Sequence, residues 1–150
     1  VFFATSSMDN TVIVYNFTTS PPSILFRLKH HTEYVHSVVF HSTLPFLATG
    51  SYDGSVIVYK LIGKTRTRSR SVTAIVQCEL KNNDTIRAIA FHPSLLLLIV
   101  GLNDVFCQNG TIIMYDLNSK PPSITYYKQH NSDFIHCITS HMSLFFSLFV

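Results

Sequence analysis

FLATGSYDGSVIVYK, residues 46–60, is an apolar run, an Asp-Gly pair and a second apolar run, the pattern of two strands joined by a tight turn. FFATSSMDNTVIVYN, residues 2–16, repeats that layout nearly residue for residue. Tyr15 and Tyr59 stand 44 residues apart in equivalent places. Tyr115 closes a third, more degraded copy 56 residues further on, with the extra length taken up around NDVFCQNG (103–110). A second register agrees: YVHSVVFHS (34–42), TIRAIAFHPS (85–94) and FIHCITSHMS (134–143) share an apolar alternation that ends in His, and SPPSI (20–24) recurs as KPPSI (120–124). Periods of this size mark a repeat architecture.

Within each period the apolar residues fall in four short bursts rich in Val, Ile, Phe and Tyr, bounded by Gly, Pro, Asn, Asp and Ser, which favours strands over helices. In the second period we expect strands near 35–40, 46–51, 55–61 and 72–80. Asp53-Gly54 suits a two-residue primed turn with positive φ, and Asp9-Asn10 and Asn109-Gly110 are candidates for the same role. Four antiparallel strands per period, apolar on both faces, describe a β-propeller blade, which buries those faces against its neighbours. The expected fold class is therefore all-β, with two full blades and two partial ones in an incomplete ring. The expected units are 1–30 (later strands only), 31–81, 82–130 and 131–150 (opening strands only).

HTEYVHSVVFHSTLPFLATGSYDGSVIVYK, from His31 to Lys60, resembles a repeat of the WD-repeat propellers, whose units carry a Gly-His pair, an apolar strand, a Ser/Thr before a turn Asp, and a closing Trp-Asp. Tyr-Asn, Tyr-Lys and Tyr-Asp stand where the closing dipeptide would be. The resemblance implies a buried tetrad of His31, Thr49, Asp53 and Tyr59. In it Asp53 accepts from one imidazole nitrogen, the other nitrogen accepts from Thr49, and Tyr59 offers a hydroxyl where an indole N–H would lie. Thr5, Asp9 and Tyr15 fit the first unit. In the third, Asn82 replaces the His, Val100 replaces the hydroxyl residue, Asp104 or Asn109 supplies the turn position, and Tyr115 remains. The resemblance also implies a partner-binding rim at Met8, Glu33, Tyr34, Tyr52, Asp84, Asn103, Asp133 and Phe134, with Tyr34, Tyr52 and Phe134 as aromatic anchors.

A Ser/Thr, His and Asp set invites a hydrolase reading, but triad chemistry needs an exposed nucleophile, an oxyanion hole and a pocket, and a group inside a blade has none of these. No catalytic residue and no cofactor is expected. His31, His36 and His41 invite zinc, yet an interval of five residues puts neighbours on opposite strand faces, and Cys78, Cys107 and Cys137 lack ligand spacing; no metal site is expected. GKT at 63–65 resembles the end of a phosphate-binding loop, but Val58 occupies the position of its first Gly.

The chain has 150 residues, 47% hydrophobic and only 13% charged, about half the usual fraction of roughly 25%, so its polar coat is thin. Of a net charge of +3, much sits in GKTRTRSRS (63–71), where Lys64, Arg66, Arg68 and Arg70 alternate with Ser and Thr. We expect a solvated loop there, with an acidic or nucleic-acid contact and phosphorylation at Ser69 or Ser71 as further readings. Three Cys without CxxC spacing and no secretory leader pattern point to a reducing, intracellular compartment, cytoplasmic or nuclear. The longest apolar runs, such as Leu95–Val100, are far short of the roughly 20 residues that span a bilayer, so no membrane partner is expected. Val1 and the terminal SLFFSLFV lead us to expect that both ends are cut, and that an incomplete ring is marginal and adhesive at its edge strands. The functional expectation is a non-catalytic scaffold for protein–protein interaction and complex assembly, with a nucleic-acid-associated propeller using residues 63–71 as the alternative.

Overall fold

The computed structural model describes residues 2–66, 69–104, 109–130 and 134–140. It contains eleven strands among them: β1 (Phe2–Ser6), β2 (Val12–Asn16), β3 (Ser23–Leu28), β4 (Val35–Phe40), β5 (Phe46–Ser51), β6 (Ser55–Arg66), β7 (Ser69–Lys81), β8 (Thr85–Phe91), β9 (Leu97–Asp104), β10 (Asn109–Asp116) and β11 (Ser123–His130). They form three antiparallel meanders, β1-β2-β3, β4-β5-β6-β7 and β8-β9-β10-β11, each strand paired with its neighbour in sequence. The all-β reading with four-stranded sheets holds. Residues 134–140, expected to open a further unit, carry no strand assignment but lie against the third sheet.

The period-two pattern explains why one sheet serves two cores. Along β5 and β6, Leu47, Ile57 and Tyr59 point to the first sheet, where they meet Val12, Val14 and Leu28. Ala48, Val56 and Val58 point the other way and meet Ile86, Ile89, Leu98 and Val100 of the third sheet. Leu47, Val56, Val58 and Tyr59 are within 1% of complete burial. At about 1.5–3 kcal/mol for each large apolar side chain, this sandwiching is the main source of cohesion. Close approach is allowed by a missing side chain: a Cβ on Gly50 would stand 2.5 Å from Ile86 Cγ2, and one on Gly101 would stand 2.8 Å from Ile135 Cγ2.

Backbone bonds also cross between sheets. Val35 N–H donates to Ser7 O at 3.1 Å, and Asn82 N–H donates to Gly54 O at 2.9 Å, so the turn of one sheet holds the entry to the next. The repeat extends to its irregularities. A bulge precedes each recurring tyrosine, between Val14 and Tyr15, Val58 and Tyr59, and Met114 and Tyr115.

Three local expectations are corrected. Only Gly54 (φ 77°) and Asn10 (φ 67°) are left-handed in the turns read as Asp53-Gly54 and Asp9-Asn10, and the hairpin is a longer one in which Gly54 N–H closes on Ser51 O at 3.3 Å. Both Asp side chains instead cap the turn, Asp9 Oδ1 accepting from Thr11 N–H and Asp53 Oδ1 from Ser55 N–H. Asn109-Gly110 is not a turn, because both residues pair in β10, opposite Asp104 and Asn103. The described part of the basic stretch is strand: β6 runs on to Arg66 and β7 begins at Ser69, pairing Gly63 with Val72, Lys64 with Ser71, Thr65 with Arg70 and Arg66 with Ser69. Arg68 lies outside the described residues, as does Cys107.

Candidate functional site

The turn after β5 assembles the densest polar network. His31 Nε2 is 2.7 Å from Thr49 Oγ1, and His31 Nδ1 is 3.1 Å from Asp53 Oδ2. Thr49 is fully buried and His31 nearly so. Burial depresses the His31 pKa more than the Asp53 charge raises it, so the ring is neutral at pH 7. The arrangement is then a single proton order: Thr49 Oγ–H donates to Nε2, and Nδ1–H donates to Asp53. Asp53 also accepts from the backbone N–H groups of Thr32 and Ser55, at 2.9 Å each, and from the Ser55 hydroxyl. Burial pushes its pKa up, but the Ser55 and backbone donors outweigh it and hold the carboxyl at about 2. Thr32 and Ser55 were not singled out from the sequence, although a Ser two residues after a turn Asp is a recognisable side-chain cap.

Tyr59 is joined to this group by a side-chain hydrogen bond with Thr49. Its hydroxyl is 3.2 Å from His30 Nδ1, the neighbour of the expected histidine, and burial pushes it up to about 12. In the third sheet the Tyr115 hydroxyl donates to Asn82 Oδ1 at 2.7 Å. In the first, Tyr15 stacks on Phe3 with ring centroids 5.1 Å apart. His41 and His92 share a further role that the sequence signalled only as a recurring His. Nδ1 of each accepts two backbone N–H groups, from Thr43 and Leu44 and from Ser94 and Leu95, and His41 Nε2–H donates across sheets to Leu95 O at 3.1 Å.

The rim residues divide. Met8, Glu33, Tyr34, Tyr52 and Phe134 are exposed, and Asp84 is half-buried. Asn103 is not an exposed contact residue: it is buried, and its amide is committed to Ile135, donating to the carbonyl at 3.1 Å and accepting from the N–H at 2.8 Å. Asp133 lies outside the described residues. Tyr34 and Tyr52 are neighbours at 6.4 Å, and His36 lies 5.9 Å from Tyr52. Thus the second sheet gathers three rings at one end.

The WD domain, G-beta repeat family matches residues 22–60, the span that contains the His31, Thr49 and Asp53 network. A WD repeat is thus recognised within the second sheet and its approach, over residues 22–60. Over 72 residues it is 35% identical to the "Probable cytosolic iron-sulfur protein assembly protein 1" of Candida albicans, a match covering 48% of this chain and 18% of that protein. The protein of the same name from Scheffersomyces stipitis is 33% identical over 73 residues, covering 49% of this chain and 19% of that one. The chain therefore spans about a fifth of these relatives. The crystal structure of the Saccharomyces cerevisiae Sqt1 superposes with a TM-score of 0.66 at 20% identity, over 90% of this chain and 32% of that one, which shows that the sheets have the fold of β-propeller blades.

Proposed function

We propose that this chain is a non-catalytic scaffold that mediates protein–protein interaction and complex assembly through its blade rim, with units at 1–30, 31–81, 82–130 and 131–150. The observation that carries the reading is the ring cluster of exposed Tyr34 and Tyr52 with half-buried His36, together with exposed Phe134 on the following segment. Tyr and Phe offer a large contact area with few torsions to freeze, which suits them to anchor a partner. The His31, Thr49, Asp53 and Ser55 network has the opposite character: its donors and acceptors are spent on one another, which suits a structural clamp. Relatives named as assembly proteins support the scaffold role, and the word cytosolic in their names supports an intracellular, cytoplasmic setting.

Affinity purification with the full chain as bait tests this, comparing wild type with a Tyr34→Ala, Tyr52→Ala, Phe134→Ala variant. The expected result is loss of the co-purifying proteins at unchanged circular dichroism. Undiminished capture would remove the rim from the function.

A further inference from the structure

Two bulges aim polar side chains at one place. In β4, His36 is the extra residue between the pairs Val35–Ser51 and Ser37–Gly50. In β8, Arg87 is the extra residue between Ile86–Leu102 and Ala88–Gly101. Bulges re-aim side chains and concentrate beside functional sites. Here they bring Arg87 Nη1 within 3.2 Å of His36 Nε2, across the boundary between two sheets. Burial, and secondarily the Arg87 charge, lower the His36 pKa, so the ring is neutral and its Nε2 accepts from the guanidinium.

Arg87 also lines a cavity of about 210 Å³ with Tyr52, Thr85, Asn103, Phe134 and His136. Cofactor and drug-sized sites begin near 300 Å³, so this one has the size for a single side chain. Its amide and hydroxyl are already committed, Asn103 to Ile135 and Thr85 to the Asn103 carbonyl. What remains to meet a ligand is the rest of the guanidinium, His136 and the exposed faces of Tyr52 and Phe134. Among the described residues no lining residue is a carboxylate and none forms an ion pair with Arg87. A guanidinium fork matches a carboxylate in a bidentate way. The one fixed cation among the described lining residues is few for a phosphopeptide, which proteins take with Arg clusters, and for a nucleic-acid backbone, which needs several.

We infer that this cavity receives the carboxylate of an Asp or Glu side chain on an extended segment of a partner protein, with Arg87 as the bidentate donor, His36 positioning the guanidinium, and Tyr52 and Phe134 packing against the flanking residues. The inference rests on the scaffold reading, because it specifies the partner's chemistry at the same rim.

The probe is an array of immobilised nonapeptides with flanking aromatic residues and a central Glu, Gln or phosphoserine, together with a labelled RNA oligonucleotide. The full chain is applied as wild type, Arg87→Gln and Arg87→Lys, each checked for unchanged circular dichroism. Wild type is expected to prefer Glu over Gln peptides by about ten-fold, Arg87→Gln to lose the preference, and Arg87→Lys, which keeps the charge without the fork, to retain part of it. Glu and Gln peptides retained equally or not at all, a preference for phosphoserine or RNA, or a preference that survives Arg87→Gln would each overturn the inference. If it fails while the triple aromatic variant still loses its partners, the scaffold reading stands. If that variant keeps them, the scaffold reading fails as well.

Discussion

The Tyr115 hydroxyl donates to Asn82 Oδ1 at 2.7 Å and so ties β10 to the segment entering β8. In the preceding sheet the equivalent position is His31, whose ring is occupied by Thr49 and Asp53, and the Tyr59 hydroxyl meets the Thr49 side chain and His30. Val100, standing where Thr49 does, offers no hydroxyl, so the third sheet uses a direct tyrosine–amide bond where the second uses a histidine relay. Tyr115→Phe is expected to cost about 1 kcal/mol, and a double-mutant cycle with Asn82→Ala should show coupling of about the same size. Additive losses in chemical denaturation would assign the bond no energetic role.

Asp53→Ala removes the acceptor of four donors, from His31, Thr32 and twice from Ser55. A buried donor left unpaired costs about 1–3 kcal/mol, so the expected loss is about 2–4 kcal/mol. Asp9→Ala removes the corresponding cap in the first sheet, where the carboxylate serves Thr11 but no histidine, and should cost clearly less. Equal urea midpoints for the two variants would contradict the assignment.

Acid should weaken the protein in two stages. His31 has a folded pKa below its ordinary 6.5, so between those values the unfolded chain binds more protons, and stability falls as pH drops below about 6.5. Asp53 has a folded pKa of about 2 against 3.8. Its contribution, about 2 kcal/mol at 1.36 kcal/mol per unit, is complete above pH 3.8 and lost as pH falls towards 2. Urea midpoints measured across this range should show both declines in wild type, and the lower one should vanish in Asp53→Ala.

Gly54→Ala places a side chain at φ 77° and 2.5 Å from the Asn82 carbonyl oxygen. Left-handed backbone alone costs about 1–2 kcal/mol for an L-residue, and the collision also strains the bond from Asn82 N–H to Gly54 O. A loss above about 2 kcal/mol is expected. Gly63→Ala is the control: nothing lies within 4 Å of its added Cβ, and its stability should match wild type.

How much of this could be read from the sequence depended on whether the signal was periodic. β4 and β5 match the expected 35–40 and 46–51, because alternation and turn residues bound them closely. β6 and β7 run past the expected 61 and 72, since Lys, Arg, Ser and Thr read as loop yet hold a ladder once a long hairpin has been started. His31, Thr49 and Asp53 were found together because the resemblance to a WD repeat implies the set, and their side chains do meet. The contact of the Tyr59 hydroxyl with His30 was not foreseen: His30 and His31 are adjacent in the chain, and only three-dimensional geometry decides which ring lies near it. His36 was weighed only as a zinc ligand, and Arg87 escaped notice. A bulge leaves no mark in an apolar alternation, and their contact links positions 51 residues apart.

The bonds from Val35 to Ser7 and from Asn82 to Gly54 couple each sheet's turn to the sheet that follows, in one direction along the chain. Repeats joined only to their nearest neighbours come apart serially. Under mechanical load from either end, extension should therefore proceed in a staircase of discrete ruptures, each releasing one unit's worth of polypeptide while the units beyond stay shut.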